Sequence, residues 1–387
     1  MPMPLLEHPL LMLPATLILS WFIVTIVIPV VIRVSQEKHL MEEPNGRSSH
    51  RQKTPSLGGV AIFAAVAIVF TASAQWISPA NTAIIQLLPS LVILFFIGLK
   101  DDILVIDPVK KLAAQLIASF MFIYLTGIRL TDLYGLFGIH ELPYGLSVGA
   151  TLFVFIVITN AYNLIDGIDG LAGYLGIIAA IAYGIYFFIA DVLWVSLLCA
   201  TLIGALIGFL RFNFSYSRKI FMGDSGSLIV GFILSVLSVK FIQFNESPNM
   251  AYISNAPTIA IAVLSIPLFD TLRVFGHRIL RGGNPFSADR NHIHHLLVER
   301  GLTHVQASAR LALTSGLVVV LCFAFIRQAS TIYSFTGVLV SFVAYIAVAQ
   351  RLSLVPKSKH FVQKRIAPAK SEPVRNFTQP QSASAAS

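Results

Sequence analysis

Eleven runs of mostly apolar residues, separated by short polar stretches, run along the chain at 10 to 32, 58 to 78, 83 to 99, 110 to 127, 146 to 162, 167 to 188, 191 to 210, 227 to 244, 256 to 274, 309 to 327 and 330 to 350. A helix needs about 20 apolar residues to cross a bilayer. Runs of this length also exclude a membrane barrel, whose strands are shorter and alternate polar with apolar positions. The pattern therefore predicts an all-α polytopic membrane protein of about 11 transmembrane helices, with a transmembrane domain over residues 1–354. Residues 355–387, rich in Lys, Pro, Ser, Gln and Ala, read as a disordered basic cytoplasmic tail.

Basic residues set the orientation, because they collect in cytoplasmic loops. With the N-terminus outside and the C-terminus cytoplasmic, all of the 27 Lys and Arg except Arg129, Lys240 and Arg327 fall on the inner side or in the tail. The net charge of +9 is thus a topology signal and an attraction to anionic headgroups. It does not indicate nucleic acid, since the charges are spread over separate loops. A composition that is 56% hydrophobic and 12% charged rules out a soluble protein of 387 residues. Cys199 and Cys322 fall inside predicted spans without CxxC spacing, so neither a disulfide nor a zinc framework is expected.

Against this background five aspartates stand out. Asp101 and Asp102 lie in GLKDD, Asp166 and Asp169 in NAYNLIDGIDGLAG, and Asp224 in FMGDSGS, each at the end of an apolar run. A carboxylate beside hydrocarbon is costly, so a cluster of them marks a functional site. The topology drawn from basic residues alone puts all three motifs on the cytoplasmic side. Asp166 and Asp169, three apart, would share one face of a helix, with Gly167 and Gly170 admitting a ligand close to the backbone. Asp101 and Asp102, about 100° apart if helical, would have separate jobs. Ser225 and Ser227 are candidate N-caps for the helix after Asp224. Its N-terminus suits an anion and the carboxylate a metal. A hard divalent cation with a diphosphate is the natural occupant.

Two more loops supply positive charge and hydroxyls. One is 284 to 297, with Arg290, His292, His294 and His295; the other is 47 to 59, which includes Lys53. Acid, base and glycine motifs meeting on one membrane face point to metal-assisted phosphoryl chemistry. Duller readings hold for some neighbours. Asp107, Asp132 and Asp289 read as helix caps or solvated charges, and His50 and His304 as surface residues. Lys110 and Lys111 are balanced between interfacial anchors and phosphate ligands. Zinc at the histidines is disfavoured without HExxH or a nearby cysteine. A transporter would carry charges near span midpoints, and a membrane phosphatase would release inorganic phosphate.

Five motifs in order, Lys53-Thr-Pro-Ser-Leu-Gly-Gly, Gly98-Leu-Lys-Asp-Asp, Asn160-Ala-Tyr-Asn-Leu-Ile-Asp-Gly-Ile-Asp-Gly-Leu, Phe221-Met-Gly-Asp-Ser-Gly-Ser and His292-Ile-His-His, carry a family resemblance from about Arg33 to Phe325. The chain resembles the polyprenyl-phosphate N-acetylhexosamine-1-phosphate transferases of glycosyltransferase family 4. These bacterial inner-membrane enzymes begin O-antigen, teichoic acid and related cell-surface glycans on the cytoplasmic face. The resemblance implies attack of undecaprenyl phosphate on a UDP-N-acetylhexosamine, releasing UMP, with Mg²⁺ as cofactor and Mn²⁺ as a substitute. It implies Asp224 as the main metal ligand with Asp166 close by, and Asp101 as base or phosphate-orienting group supported by Asp102. Asn160, Asn163, Asp166 and Asp169 would form the nucleotide side, with Asp169, Lys53 and Phe221 on the uracil. Arg290, His292, His294 and His295 would clamp the phosphates. The spaced His-Ile-His-His is similar to the subgroup using UDP-N-acetylglucosamine. The phospho-N-acetylmuramoyl-pentapeptide transferases, the alternative, usually carry three consecutive histidines. A homodimer is compatible with the family.

Overall fold

The computed structural model describes residues 9–41, 53–73, 83–136, 138–246, 251–282, 291–326 and 331–354. Arg290, Asp289, His50, Arg327 and the tail from 355 lie outside them. The described chain is a helical bundle: α1 (Pro9–Glu37), α2 (Gly58–Ala65), α3 (Thr71–Ser73), α4 (Ala83–Ile103), α5 (Pro108–Thr126), α6 (Tyr144–Ile165), α7 (Leu171–Ile189), α8 (Leu193–Asn213), α9 (Gly223–Phe244), α10 (Ala256–Val263), α11 (Ser265–Leu280), α12 (Ile293–Glu299), α13 (His304–Leu321) and α14 (Thr331–Leu354). A π-helical turn joins α2 to α3, and a second follows α13.

Every apolar run of the sequence is helical over most of its described length, and the multi-pass membrane architecture stands. The described residues bear on the number of spans only through helix length and composition. Among the described residues eight helices are long and apolar enough to cross a bilayer, or nine if α10 and α11, bent by 80°, count as one. Gly58–Ser73 is shorter than a span. The α4 helix continues past the predicted limit at 99 to carry Lys100, Asp101 and Asp102. The break between α10 and α11 falls at Leu264, three residues before Pro267, which lacks the N–H that would continue the ladder. Contrary to an all-helical expectation, a two-stranded antiparallel hairpin, β1 (Asp132–Leu136) and β2 (Ile139–Glu141), lies between α5 and α6. Thr131, just before it, donates to the carboxylate of Glu246 beyond the C-terminus of α9, which fixes the hairpin at the end of the bundle away from Asp224.

Local signals explain the ends. At α5, Asp107 accepts from the Val109 N–H at 2.8 Å with Pro108 at the first helical position, and Gly127 closes the helix in a left-handed conformation at φ 68°. Asp107 is therefore the cap it was expected to be. At α13, Thr303 and Gln306 form a reciprocal capping box.

Helices α8 and α9 form the centre, with 83% of their apolar windows buried against 6% for α14. Small residues allow this. A Cβ at Gly204 of α8 would lie 2.1 Å from the Leu17 carbonyl oxygen of α1, and one at Gly231 of α9 would lie 3.0 Å from Thr159 of α6. Among lipid tails no hydrophobic force pulls helices together, so backbone proximity through small residues is what holds them. A smaller apolar cluster of Ile165, Ile168, Leu171, Ile266, Ile293 and Ala307 ties the ends of α6 and α7 to α11, α12 and α13. Cys199 and Cys322 are buried free thiols, as expected.

Gly204→Ala is expected to lower the thermal unfolding midpoint in detergent, because overpacking costs about 1–3 kcal/mol against a helix-propensity gain of about 1 kcal/mol. At Gly149, where a Cβ meets nothing within 4 Å, the same change should leave the midpoint unchanged or raise it. Equal shifts at the two positions would contradict this packing.

Candidate active site

The last turn of α4 meets the first turn of α9. Asp101 and Asp102, adjacent on a helix, point in different directions, as their spacing predicts. Asp102 turns to α9: its Oδ1 accepts from the Asp224 N–H at 2.6 Å, and its Oδ2 accepts from the Ser225 N–H at 3.0 Å and the Ser225 hydroxyl at 2.6 Å. The first N–H groups of a helix have no partner inside it and carry the positive end of its dipole. Asp102 supplies that cap from another helix. The expected serine caps are not formed, since Ser225 donates to Asp102 and Ser227 donates to the Gly223 carbonyl at 2.9 Å. Helix ends come this close only because glycine stands at the contact. A Cβ at Gly98 would lie 2.5 Å from the Ser225 Cα, and one at Gly59 would lie 2.1 Å from the Gly226 nitrogen. Gly223, at φ 73°, turns the chain into α9 against the Ser56 carbonyl.

Asp101 faces the other way. Its Oδ1 accepts from the Ile106 N–H at 2.8 Å, and its Oδ2 lies 3.0 Å from Nζ of Lys111. The same ammonium is 2.8 Å from Oδ2 of Asp224, whose Oδ1 accepts from the Asn163 amide. Lys111 is thus neither an interfacial anchor nor a loose cation but a bridge between two of the five aspartates. Asn163 also donates to the Ser227 hydroxyl at 2.8 Å. Asn160, one turn earlier, is held differently. It exchanges hydrogen bonds of 2.7 and 3.3 Å with the buried amide of Gln115, which joins α6 to α5.

Asp166 and Asp169 do not share a helical face. The α6 helix ends at Ile165, Asp166 is its C-cap at ψ 55°, and Gly170 at φ 80° precedes α7, so the pair sits on a loop. A pattern of i and i+3 says nothing about a face when the helix ends before its first member. Oδ2 of Asp169 lies 2.6 Å from Lys219 Nζ and 3.0 Å from His304 Nδ1, and its carbonyl accepts from the Ser308 hydroxyl at 2.6 Å. His304, expected at the surface, is part of this network. Asn213 completes the loop by accepting from the Gly170 N–H at 2.7 Å and donating to the Ile220 carbonyl at 2.9 Å.

Phe221 is fixed by its backbone. Its N–H donates to the Pro55 carbonyl at 2.8 Å, its carbonyl accepts from Gly58 at 2.9 Å, and Met222 accepts from Gly59 at 2.8 Å. The TPSLGG and FMGDSGS motifs therefore form one unit, with Lys219 above the Phe221 ring at 5.7 Å.

These elements enclose a cavity of about 640 Å³ whose wall includes Asp101, Asp102, Asn163, Asp166, Asp169, Phe221, Asp224 and His295. Lys53, Asn160, His292 and His294 are not on that wall. His292 bonds to Asp270 at 2.8 Å. His294 is buried beside Gly167; burial, reinforced by His295 and His292, holds its imidazole well below the ordinary histidine range, so it is neutral at pH 7. Sequence reasoning passed over Lys219, Asn213 and Asp270. Asp270 was findable, since it is a carboxylate well inside the apolar run 256 to 274. Among the described residues no three His, Cys, Asp or Glu side chains form a ready-made metal cage. The cavity's donors are hard carboxylate oxygens, and Mg²⁺ is commonly held by one or two of these together with substrate phosphates and water. The residues fit an ion that arrives with its substrate.

Asp102→Ala strands two N–H groups and a hydroxyl at the start of α9. A loss of about 0.5–2 kcal/mol, the usual worth of an N-cap, is expected in detergent unfolding, with Asp102→Asn recovering part of it. No loss in Asp102→Ala would refute the capping role.

Residues 83–242 match the family described as glycosyl transferase family 4. An undecaprenyl-phosphate alpha-N-acetylglucosaminyl 1-phosphate transferase of Yersinia pestis is 30% identical over 288 residues, covering 73% of this chain and 76% of that protein. Proteins of the same name from Salmonella typhi and Escherichia coli (strain K12) are 29% and 28% identical, over 78% and 74% of this chain and 80% and 76% of their own. The matched stretch includes the ends of α4, α6 and α9 that meet around the carboxylate cavity, and with a relative 30% identical over most of its length the chain belongs to glycosyl transferase family 4.

Proposed function

We propose that this protein transfers N-acetylglucosamine 1-phosphate from UDP-N-acetylglucosamine to undecaprenyl phosphate, giving undecaprenyl-diphospho-N-acetylglucosamine and UMP as the first membrane step of a cell-surface glycan. The observation that carries the reading is the Asp101–Lys111–Asp224 bridge on the cavity at the helix ends. The names of the relatives supply the acceptor and sugar, and the spaced His-Ile-His-His agrees with them. The membrane is the bacterial inner membrane, and the basic loops argue for a cytoplasmic cavity.

In the proposed reaction an oxygen of the acceptor phosphate attacks the β-phosphorus of the UDP-sugar. The bond from that phosphorus to the bridging oxygen breaks, and UMP leaves. A phosphate monoester has its second pKa at about 6, so the nucleophile is already largely ionised at pH 7 and no strong base is required. Rate then comes from positioning and from neutralising charge in a water-poor site. Lys111 brings a positive charge beside Asp101, which orients the acceptor, and beside Asp224. The Phe221 ring offers a face to the uracil, with Asp169 on the same wall, and His295 reaches the phosphates. Asp224 and Asp166 would hold Mg²⁺, or Mn²⁺ in its place, and the bound ion supplies further neutralisation of the diphosphate.

Purified protein given UDP-N-acetylglucosamine, undecaprenyl phosphate and Mg²⁺ should yield UMP and lipid-linked diphosphosugar in equal amounts. Absence of UMP, UMP without lipid product, or release of inorganic phosphate would each overturn the reading. Asp224→Asn and Lys111→Met should each lower kcat by about 10²-fold or more, the scale of losing one preorganised charge contact. Asn160→Ala, off the cavity wall, should act mainly through stability.

A further inference from the structure

Asp270 is a carboxylate with no exposed surface, placed in the middle of α11. A buried charge persists only when it is paired and hydrogen-bonded, and the hydrogen bonds that Asp270 accepts from Ile293 and shares with His292 bear on one short segment. Its Oδ1 accepts from the Ile293 N–H at 3.0 Å and from Nη2 of Arg273 at 2.8 Å. Its Oδ2 lies 2.8 Å from Nδ1 of His292. Arg273 in turn donates to the Asn291 carbonyl. Ile293 is the first residue of α12, and His292, the residue before it, makes no side-chain cap of its own. The carboxylate therefore caps α12 from a neighbouring helix and, as acceptor only, holds the His292 proton on Nδ1.

From this arrangement we infer that Asp270, together with Arg273, is a positioning residue that fixes the start of α12 so that His295 faces the cavity. His295 on the wall lies three positions after His292, the residue that Asp270 contacts. Between them the ring of His294 lies 5.6 Å from His292, nearly parallel, and 4.2 Å from His295. His294 leaves no room to shift on its other side, because its Nε2 stands 2.2 Å from where a Cβ on Gly167 would be. A displacement at Asp270 is thus passed along a packed row of imidazoles to the cavity wall and to the loop bearing Asp166 and Asp169. Both halves of the site are built on one device, since Asp102 caps the helix bearing Asp224 as Asp270 caps the helix bearing His295. A misplacement of about 1 Å can cost about 10²-fold in rate.

The kinetic arm of the test rests on the proposed transfer reaction; the structural arm does not. Asp270→Asn tests the contact alone, and Asp270→Asn combined with Arg273→Gln removes the buried charge pair together, so that no unpaired ion is left to unfold the protein. In the double variant hydrogen exchange at residues 291–299 should speed up at least threefold, while residues 223–230 stay as in the wild type. With UDP-N-acetylglucosamine and undecaprenyl phosphate, kcat/KM for the UDP-sugar should fall by about tenfold or more and KM for the lipid should hold. Asp270→Glu should recover part of the loss. Unchanged exchange at 291–299 in the double variant would overturn the inference, as would equal loss for both substrates. If the wild type makes no UMP, the transfer reading fails while the exchange result still decides the role of Asp270.

Discussion

The architecture of the site depends on a carboxylate from one helix satisfying the exposed N–H groups at the start of another. At the junction of α4 and α9, Asp102 accepts from two backbone N–H groups and one hydroxyl. Water would do this at a free surface, but a helix end packed inside a bundle has to find the partner in protein. Once Asp102 is committed there, other features become obligatory. Gly98 and Gly59 must lack side chains, because the helices approach within their Cβ radius. Asp101, about 100° further round α4, is left to face Lys111. Asp224, the second residue of the capped helix, is aimed by the same bonds that cap it.

Charge in a low-dielectric setting imposes the next layer. Asp101 and Asp224 would repel each other unless a cation stood between them, and Lys111 reaches both within 3.0 Å. Asp169 has Lys219 and His304, and Asp270 has Arg273 and His292. Each partner comes from a different element from its carboxylate except Arg273, which shares α11 with Asp270. Stability and function are therefore hard to separate here. Taking away one member of such a pair leaves the other buried and uncompensated, which costs more than the pair contributes.

Much of this was legible along the chain because it depends on local pattern. The apolar runs mark the helices, and Asp107, Pro108 and Gly127 mark the ends of α5. The motifs hold the residues that converge, down to the adjacent aspartates that point apart. What could not be read depends on partners distant in sequence. The contact of Asp169 with His304 spans 135 residues, and a lone histidine before an apolar run gives no hint of it. Lys111 looks like any interfacial lysine until α4 and α5 are folded antiparallel. Spacing misled at Asp166 and Asp169, because the i, i+3 rule presumes a continuous helix and α6 ends at Ile165, before either residue. The 80° bend at Leu264 was not legible either, since apolar length says nothing of direction.

The position of the cavity follows from the same energetics. Carboxylates at mid-span would lie farthest from water, whereas at helix ends they can be capped by the N–H groups that those ends leave open. The wall built this way is unlike its rim. Asp101, Asp166 and Asp224 line it, yet Ile103 and Val105 line it too, and Val105 is 98% exposed in the linker to α5. An exposed apolar turn within a few residues of the Asp101–Lys111–Asp224 bridge suits a cover of hydrocarbon or headgroups. A cavity with acidic walls and an apolar lip suits the boundary between lipid and water. That is also the only place where a lipid phosphate and a soluble sugar nucleotide, the proposed substrates, could meet without either being carried wholly into the other's solvent.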